Sequence, residues 1–73
     1  MSRIAAIGEA RRVSGFALAG VEVRAAESAQ AAQAAWDALE RDVGLLVLTP
    51  QAAAALEGRL SEREGVVWVT LPD

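Results

Sequence analysis

The chain has 73 residues, 53% of them apolar, and a formal net charge of −3, which is room for one thin-cored domain. It contains no Cys, His, Lys or Tyr. Thiol nucleophiles, imidazole bases, thiolate and histidine metal sites, P-loop lysines, Schiff bases and phenolic acids are therefore excluded. All seven cations are Arg, scattered through an acidic chain, which argues against the basic patch a nucleic-acid binder needs.

The segment Arg3-Ile4-Ala5-Ala6-Ile7 reads as a buried strand that stops at Gly8. After Met1-Ser2-Arg3 this apolar run is far too short for a signal-peptide core, and no run reaches membrane-spanning length. Glu9 to Ala19 reads as a short helix ending at Gly20. Val21-Glu22-Val23-Arg24-Ala25 alternates with period two, the mark of a half-exposed or edge strand. Ser28 is a good N-cap for a helix from Ala29 to about Asp42. Its expected inner face is Ala29, Ala32, Trp36 and Leu39, with Gln30, Gln33, Asp37 and Glu40 outside.

Val43 to Leu48 is a nearly unbroken apolar run, as a central parallel strand requires. Thr49 then reads as N-cap and Pro50 as first helical residue, where the missing N–H costs nothing. That helix is expected to reach about Leu60, with Ala53, Leu56 and Leu60 on one face and Gly58 weakening its last turns. Ser61 to Gly65 is a charged turn. Val66 to Leu71 is the last strand, ended by Pro72.

Four strands alternating with three helices call for a single α/β domain over residues 1–73, built on a parallel sheet. With strand order 2-1-3-4, as in flavodoxin-like and receiver-like folds, right-handed crossovers place the first helix on one face and the other two on the opposite face. The face over strands three and four on the first helix's side is then left uncovered. An exposed apolar face on a parallel sheet needs a cover, either further chain or a partner.

Ligands of open parallel sheets bind beyond the strand C-termini at the order switch. Here that crevice is Gly8, Glu9 and Ala10 facing Thr49 and Pro50. A phosphorylatable receiver needs paired carboxylates, an Asp after strand three and a Lys; Glu9 stands alone, Thr49 replaces the Asp, and Thr70 alone fits. Glu9 reads instead as a solvated residue opening the first helix. Gly8-Glu9-Ala10-Arg11-Arg12-Val13-Ser14-Gly15 lacks dinucleotide and P-loop spacing. Gly8 reads as a turn glycine and Gly15 as a close-packing one. Arg11-Arg12 reads as a solvated helix face. Glu57, Glu62 and Glu64 with Arg59 and Arg63 read as ion pairs around a helix end. Trp36 has core spacing; Trp68, on the terminal strand, reads equally as a core residue or as an interface anchor.

Ile4-Ala5-Ala6-Ile7-Gly8-Glu9, then Gly15-Phe16-Ala17-Leu18-Ala19-Gly20-Val21, then Gly44-Leu45-Leu46-Val47-Leu48-Thr49, and a closing strand ending in Leu71-Pro72 together resemble the F subunit of the A-type and V-type rotary ATPases. The most specific piece is Gly15-Phe16-x-Leu18-Ala19-Gly20; Gly8 belongs to the same motif set. The resemblance implies a small flavodoxin-like or receiver-like sheet and a non-catalytic subunit without cofactor or metal. It implies a place on the central rotor stalk, on the cytoplasmic side and peripheral to the membrane, bound to the long coiled-coil D subunit. In that family a mobile C-terminal helical segment reaches toward the catalytic head and modulates ATP hydrolysis and coupling. This chain departs in having Ala17 where a basic residue is usual. It also stops at Pro72-Asp73, where the family continues.

The expected role is thus docking on the rotor in a proton- or sodium-translocating ATPase or ATP synthase. The expected partner surface is Val66, Trp68 and Thr70, with Arg59 and Arg63 at its rim. The competing readings are a stand-alone receiver-like interaction module that homodimerises, and a small-ligand binder at the Gly8/Thr49 crevice.

Overall fold

The computed structural model describes residues 3–73. Four parallel strands, β1 (Arg3–Gly8), β2 (Glu22–Ala25), β3 (Val43–Leu48) and β4 (Val67–Thr70), form one sheet in the order β2-β1-β3-β4. Three α-helices connect them: α1 (Ala10–Val13), α2 (Ala29–Asp37) and α3 (Pro50–Ala55). This is the expected α/β architecture with the expected strand order.

The two faces of the sheet carry separate cores because side chains alternate along each strand. Ala5, Ile7, Leu46 and Leu48 point to the α2/α3 side, where they meet Ala32, Trp36, Leu39, Ala52 and Leu56. Ala6 and Val47 point to the other side, where they meet Val13 and the half-buried Phe16, Val21, Val23 and Leu71. Helix α1 thus stands alone on its face while α2 and α3 share the opposite one, as right-handed crossovers demand. Strand β2 lies at one edge and is half-buried along Glu22 to Arg24, as its period-two pattern indicated.

Each helix is shorter than its periodicity suggests, for a local reason. The first becomes α-helical only over Ala10–Val13 and continues as a 3-10 helix over Ser14–Ala19. Val13 is its one fully buried residue. Beyond it Ser14 and Gly15 are poor helix formers, and the tighter turn brings Phe16 and Val21 back onto the sheet. Helix α2 is capped as expected, the Ser28 hydroxyl accepting from Ala31 N–H at 3.1 Å. It ends at Asp37 rather than Asp42, because the Leu39 and Glu40 carbonyls turn outward to accept from Arg63 Nη2, both at 3.1 Å. Its inner face is Ala32, Trp36 and Leu39; Ala29, at the first turn, is exposed.

Helix α3 opens as expected, with Thr49 as N-cap and Pro50 as its first residue. It stops at Ala55, and Gly58 at φ 88° then reverses the chain in a conformation that other residues rarely adopt. Leu60 to Glu62 forms a separate 3-10 turn. Leu56 is fully buried, while Ala53 and Leu60 pack against the core from its margin.

Candidate functional site

The C-terminal edge of the sheet is where an open parallel sheet would hold a ligand. Thr49 follows β3 there and is fully buried. Its Oγ1 donates to Glu9 Oε1 at 2.6 Å and accepts from Ala52 N–H at 3.3 Å. Its side chain fills the space beside Gly8, where an added Cβ would lie 2.6 Å from Thr49 Oγ1 and closer still to Cγ2. Gly8 therefore provides close approach between β1 and β3 rather than a turn. The Ala10 N–H, at the start of α1, donates to Glu27 Oε2 at 2.8 Å. The hydroxyl and this N–H, which a ligand in the crevice would use, are thus both taken by the chain's own groups.

Glu9 is correspondingly not a freely solvated residue. The Thr49 hydroxyl, together with its own backbone N–H and the nearby Arg12 and Arg11, holds its carboxyl below the usual range. Gly15 is not a packing glycine either: nothing lies within 4 Å of an added Cβ, and the residue is exposed on the 3-10 helix. Among the other motif residues, Phe16 packs into the α1-side core, and Gly20 ends the 3-10 helix. Leu18 is 96% exposed and its neighbour Ala19 is exposed too.

The charged turn after α3 works inward. Arg59 pairs with Asp37 at 2.7 Å and Glu62 at 3.4 Å, and donates to Gln33 Oε1. Gln33, expected on the outer face of α2, is half-buried and donates to the Ala55 carbonyl, so it bridges α2 to α3. Arg63 makes no carboxylate pair among the described residues. It lies 5.7 Å over the Trp36 ring while its Nη2 holds the two carbonyls that follow α2. Trp36 is buried as expected, and its Nε1 donates to Glu62 Oε1 at 3.4 Å. Arg12 is half-buried and donates to the Pro72 carbonyl, tying α1 to the chain beyond β4.

Strand β4 is exposed along its whole length. Its two faces differ. Register pairs Leu46 with Trp68 and Leu48 with Thr70, so Trp68 and Thr70 share the α2/α3 side, and Val66 packs against that core too. Trp68, 40% exposed, and Thr70 line an open groove with Ala53, Gly58, Leu60 and Ser61 of the α3 region. Arg59 and Arg63 lie on this same side through their bonds to α2 and the turn after it. The expected partner residues are thus brought together on one side of the β4 margin.

The uncovered face is on the other side. Ile4 pairs with Leu45 and Leu45 with Val67, while Val47 pairs with Val69. These residues share the face of Val13; Val47 is buried there with Val13 and Leu71, while Ile4, Val67 and Val69 lie beyond that cluster. Val67 is 62%, Val69 47% and Ile4 42% exposed. Topology alone predicts the bare face but not these residues. Strand alternation was the available signal, yet only the register says which of Trp68 and Val69 points to which side.

Among the described residues no group of His, Cys, Asp and Glu could hold a metal ion, and no helix is long and apolar enough to cross a membrane. No curated protein matches the chain. The sequence model of the ATP synthase (F/14-kDa) subunit family matches residues 4–73. That match covers nearly the whole chain and agrees with the four-stranded parallel sheet, and the chain belongs to this family, that of the accessory F subunit of V/A-type ATPases.

Proposed function

We propose that the chain is a non-catalytic subunit of the central stalk, which docks on the coiled-coil D subunit of the rotor and takes part in coupling or regulation of a proton- or sodium-translocating ATPase or ATP synthase. In this reading it works on the cytoplasmic side, peripheral to the membrane. The observation that carries it is the family match over residues 4–73 combined with an apolar sheet margin that the chain leaves open. The side-chain inventory agrees: among the described residues the one buried polar side chain, Thr49, is spent on a helix cap and a carboxylate.

The docking side is the β4 margin. Trp68 is its anchor, flanked by Val66 and Thr70, with the Arg59–Arg63 turn at the rim. A partly exposed Trp beside a groove is the type of residue that dominates interfaces. Arg59 and Arg63 are committed within the chain, so they supply shape at the rim rather than free charge.

The test is light scattering of the chain alone and mixed with the rotor coiled-coil subunit from the same source. The expected result is a one-to-one complex and a melting temperature that rises with partner concentration. A homodimer indifferent to the coiled coil would replace this reading with the self-associating interaction module.

A further inference from the structure

We infer that residues 66–72 form a strap that lifts from β3 while the rest of the sheet stays folded, anchored at one end by Arg63 and latched at the other by Arg12. Among the described residues every buried side chain lies between Ala5 and Leu56. Strands β1, β2 and β3 with their three helices therefore hold the buried part of both cores without β4. Strand β4 pairs with β3 alone and is exposed from Val67 to Thr70. An edge strand with so little buried apolar surface belongs to the least stable part of a fold.

What holds the strap is at its ends. Ahead of it, Arg63 Nη2 donates to the Leu39 and Glu40 carbonyls, both at 3.1 Å, and the guanidinium lies over Trp36. These contacts fix the chain up to the turn, and Gly65, at φ 80°, then supplies a hinge. Val66 packs against the α2/α3 core, and Leu71 against the Val13 cluster on the other face. Past Leu71, Arg12 Nη2 donates to the Pro72 carbonyl. Among the described residues this is the one side-chain hydrogen bond to residues 66–73.

A free end held by one guanidinium is a latch. When Arg12 lets go, Leu71 can leave Val13 and the ladder opens from its C-terminal end. Opening frees the edge of β3 from Leu45 to Leu48, which β4 otherwise pairs. The latch thus decides whether an aliphatic strand presents unpaired peptide groups. The inference stands apart from the stalk reading.

The experiment is amide hydrogen exchange followed by NMR, in urea below the unfolding transition. Two amides on opposite edges of β3 report separately. The Leu71 N–H donates to the Leu48 carbonyl at 2.8 Å on the β4 side, and the Thr49 N–H to the Ile7 carbonyl at 3.2 Å on the β1 side. The expected result is that Leu71 is protected at least about tenfold less than Thr49 and responds less to urea. Arg12→Met should lower the Leu71 protection about fivefold further, as for one lost hydrogen bond, and leave Thr49 unmoved. Arg11→Met, at the exposed neighbour on α1, should move neither. Equal protection and equal urea dependence of the two amides in the unaltered chain would overturn the strap, and that comparison does not depend on a variant folding. An equal effect of Arg12→Met on both amides, or an effect on neither, would overturn the latch.

Discussion

Gly8→Ala tests how tightly β1 and β3 are joined at the C-terminal edge of the sheet. The added Cβ would sit 2.6 and 2.9 Å from Thr49 Oγ1 and Cβ, and closer still to Cγ2, against ordinary contacts of about 3.5–4.0 Å. Thr49 cannot swing away without releasing both the Glu9 carboxylate and the Ala52 N–H. Overpacking of this kind costs about 1–3 kcal/mol, and losing the α3 cap adds about 1 kcal/mol. The expected loss is therefore about 2–4 kcal/mol, a large share of the roughly 4–11 kcal/mol available to a domain of this size. At about 4–8 °C per kcal/mol the melting temperature should fall by roughly 8–32 °C. Calorimetry or urea unfolding would measure it. Because the clash is with Thr49 itself, Thr49→Ala should partly rescue Gly8→Ala, making the pair strongly non-additive. A loss below about 0.5 kcal/mol, or additive effects, would refute the reasoning.

Three further outcomes follow from the same contacts. Glu9 has its carboxyl held low by Thr49; a depressed folded-state value adds stability above the ordinary carboxylate range that is lost as pH falls through the folded value. Glu9→Gln should lower the urea midpoint in the neutral region, converge with the intact chain at the acid end and so flatten the acid limb, and an unchanged limb would remove Glu9 from that role. Arg63→Met should cost about 1–2 kcal/mol by releasing the Leu39 and Glu40 carbonyls and should alter Trp36 fluorescence; Arg63→Lys, which lacks the planar fork, should restore little of it. Trp68→Ala should leave the fold intact and weaken the coiled-coil complex by about 2 kcal/mol in calorimetric titration; an unchanged affinity would remove Trp68 from the interface.

Much of the fold was legible because its signals are local or topological. Ser28, Thr49 and Pro50 start their helices where cap chemistry places them. The unbroken run at 43–48 became the central β3, and the alternating run at 22–25 became an edge. Handedness then assigned the helices to their faces. Helix ends were less legible because distant groups set them. Arg63, more than twenty residues away, bonds the carbonyls of the turn that follows α2. Gln33 looked like a surface residue by periodicity, but the approach of α3 and Arg59 drew it inward. Gly15 looked like a packing glycine only because a longer helix was expected there. At the candidate site, the existence of an open face followed from topology. Its composition did not, since whether Trp68 or Val69 shares a side with Val47 depends on a register that no local pattern encodes.

The central claim is that this chain docks on the rotor coiled coil, and cross-linking in the assembled ATPase tests it most directly. The chain has no cysteine, so Val67→Cys provides a unique handle on the exposed margin for a short thiol-directed photocross-linker. The account predicts one dominant product, joined to the coiled-coil rotor subunit, at a yield that excess untagged chain reduces by competition. Cross-links confined to a second copy of the chain, or to other subunits with the coiled coil unlabelled, would contradict it.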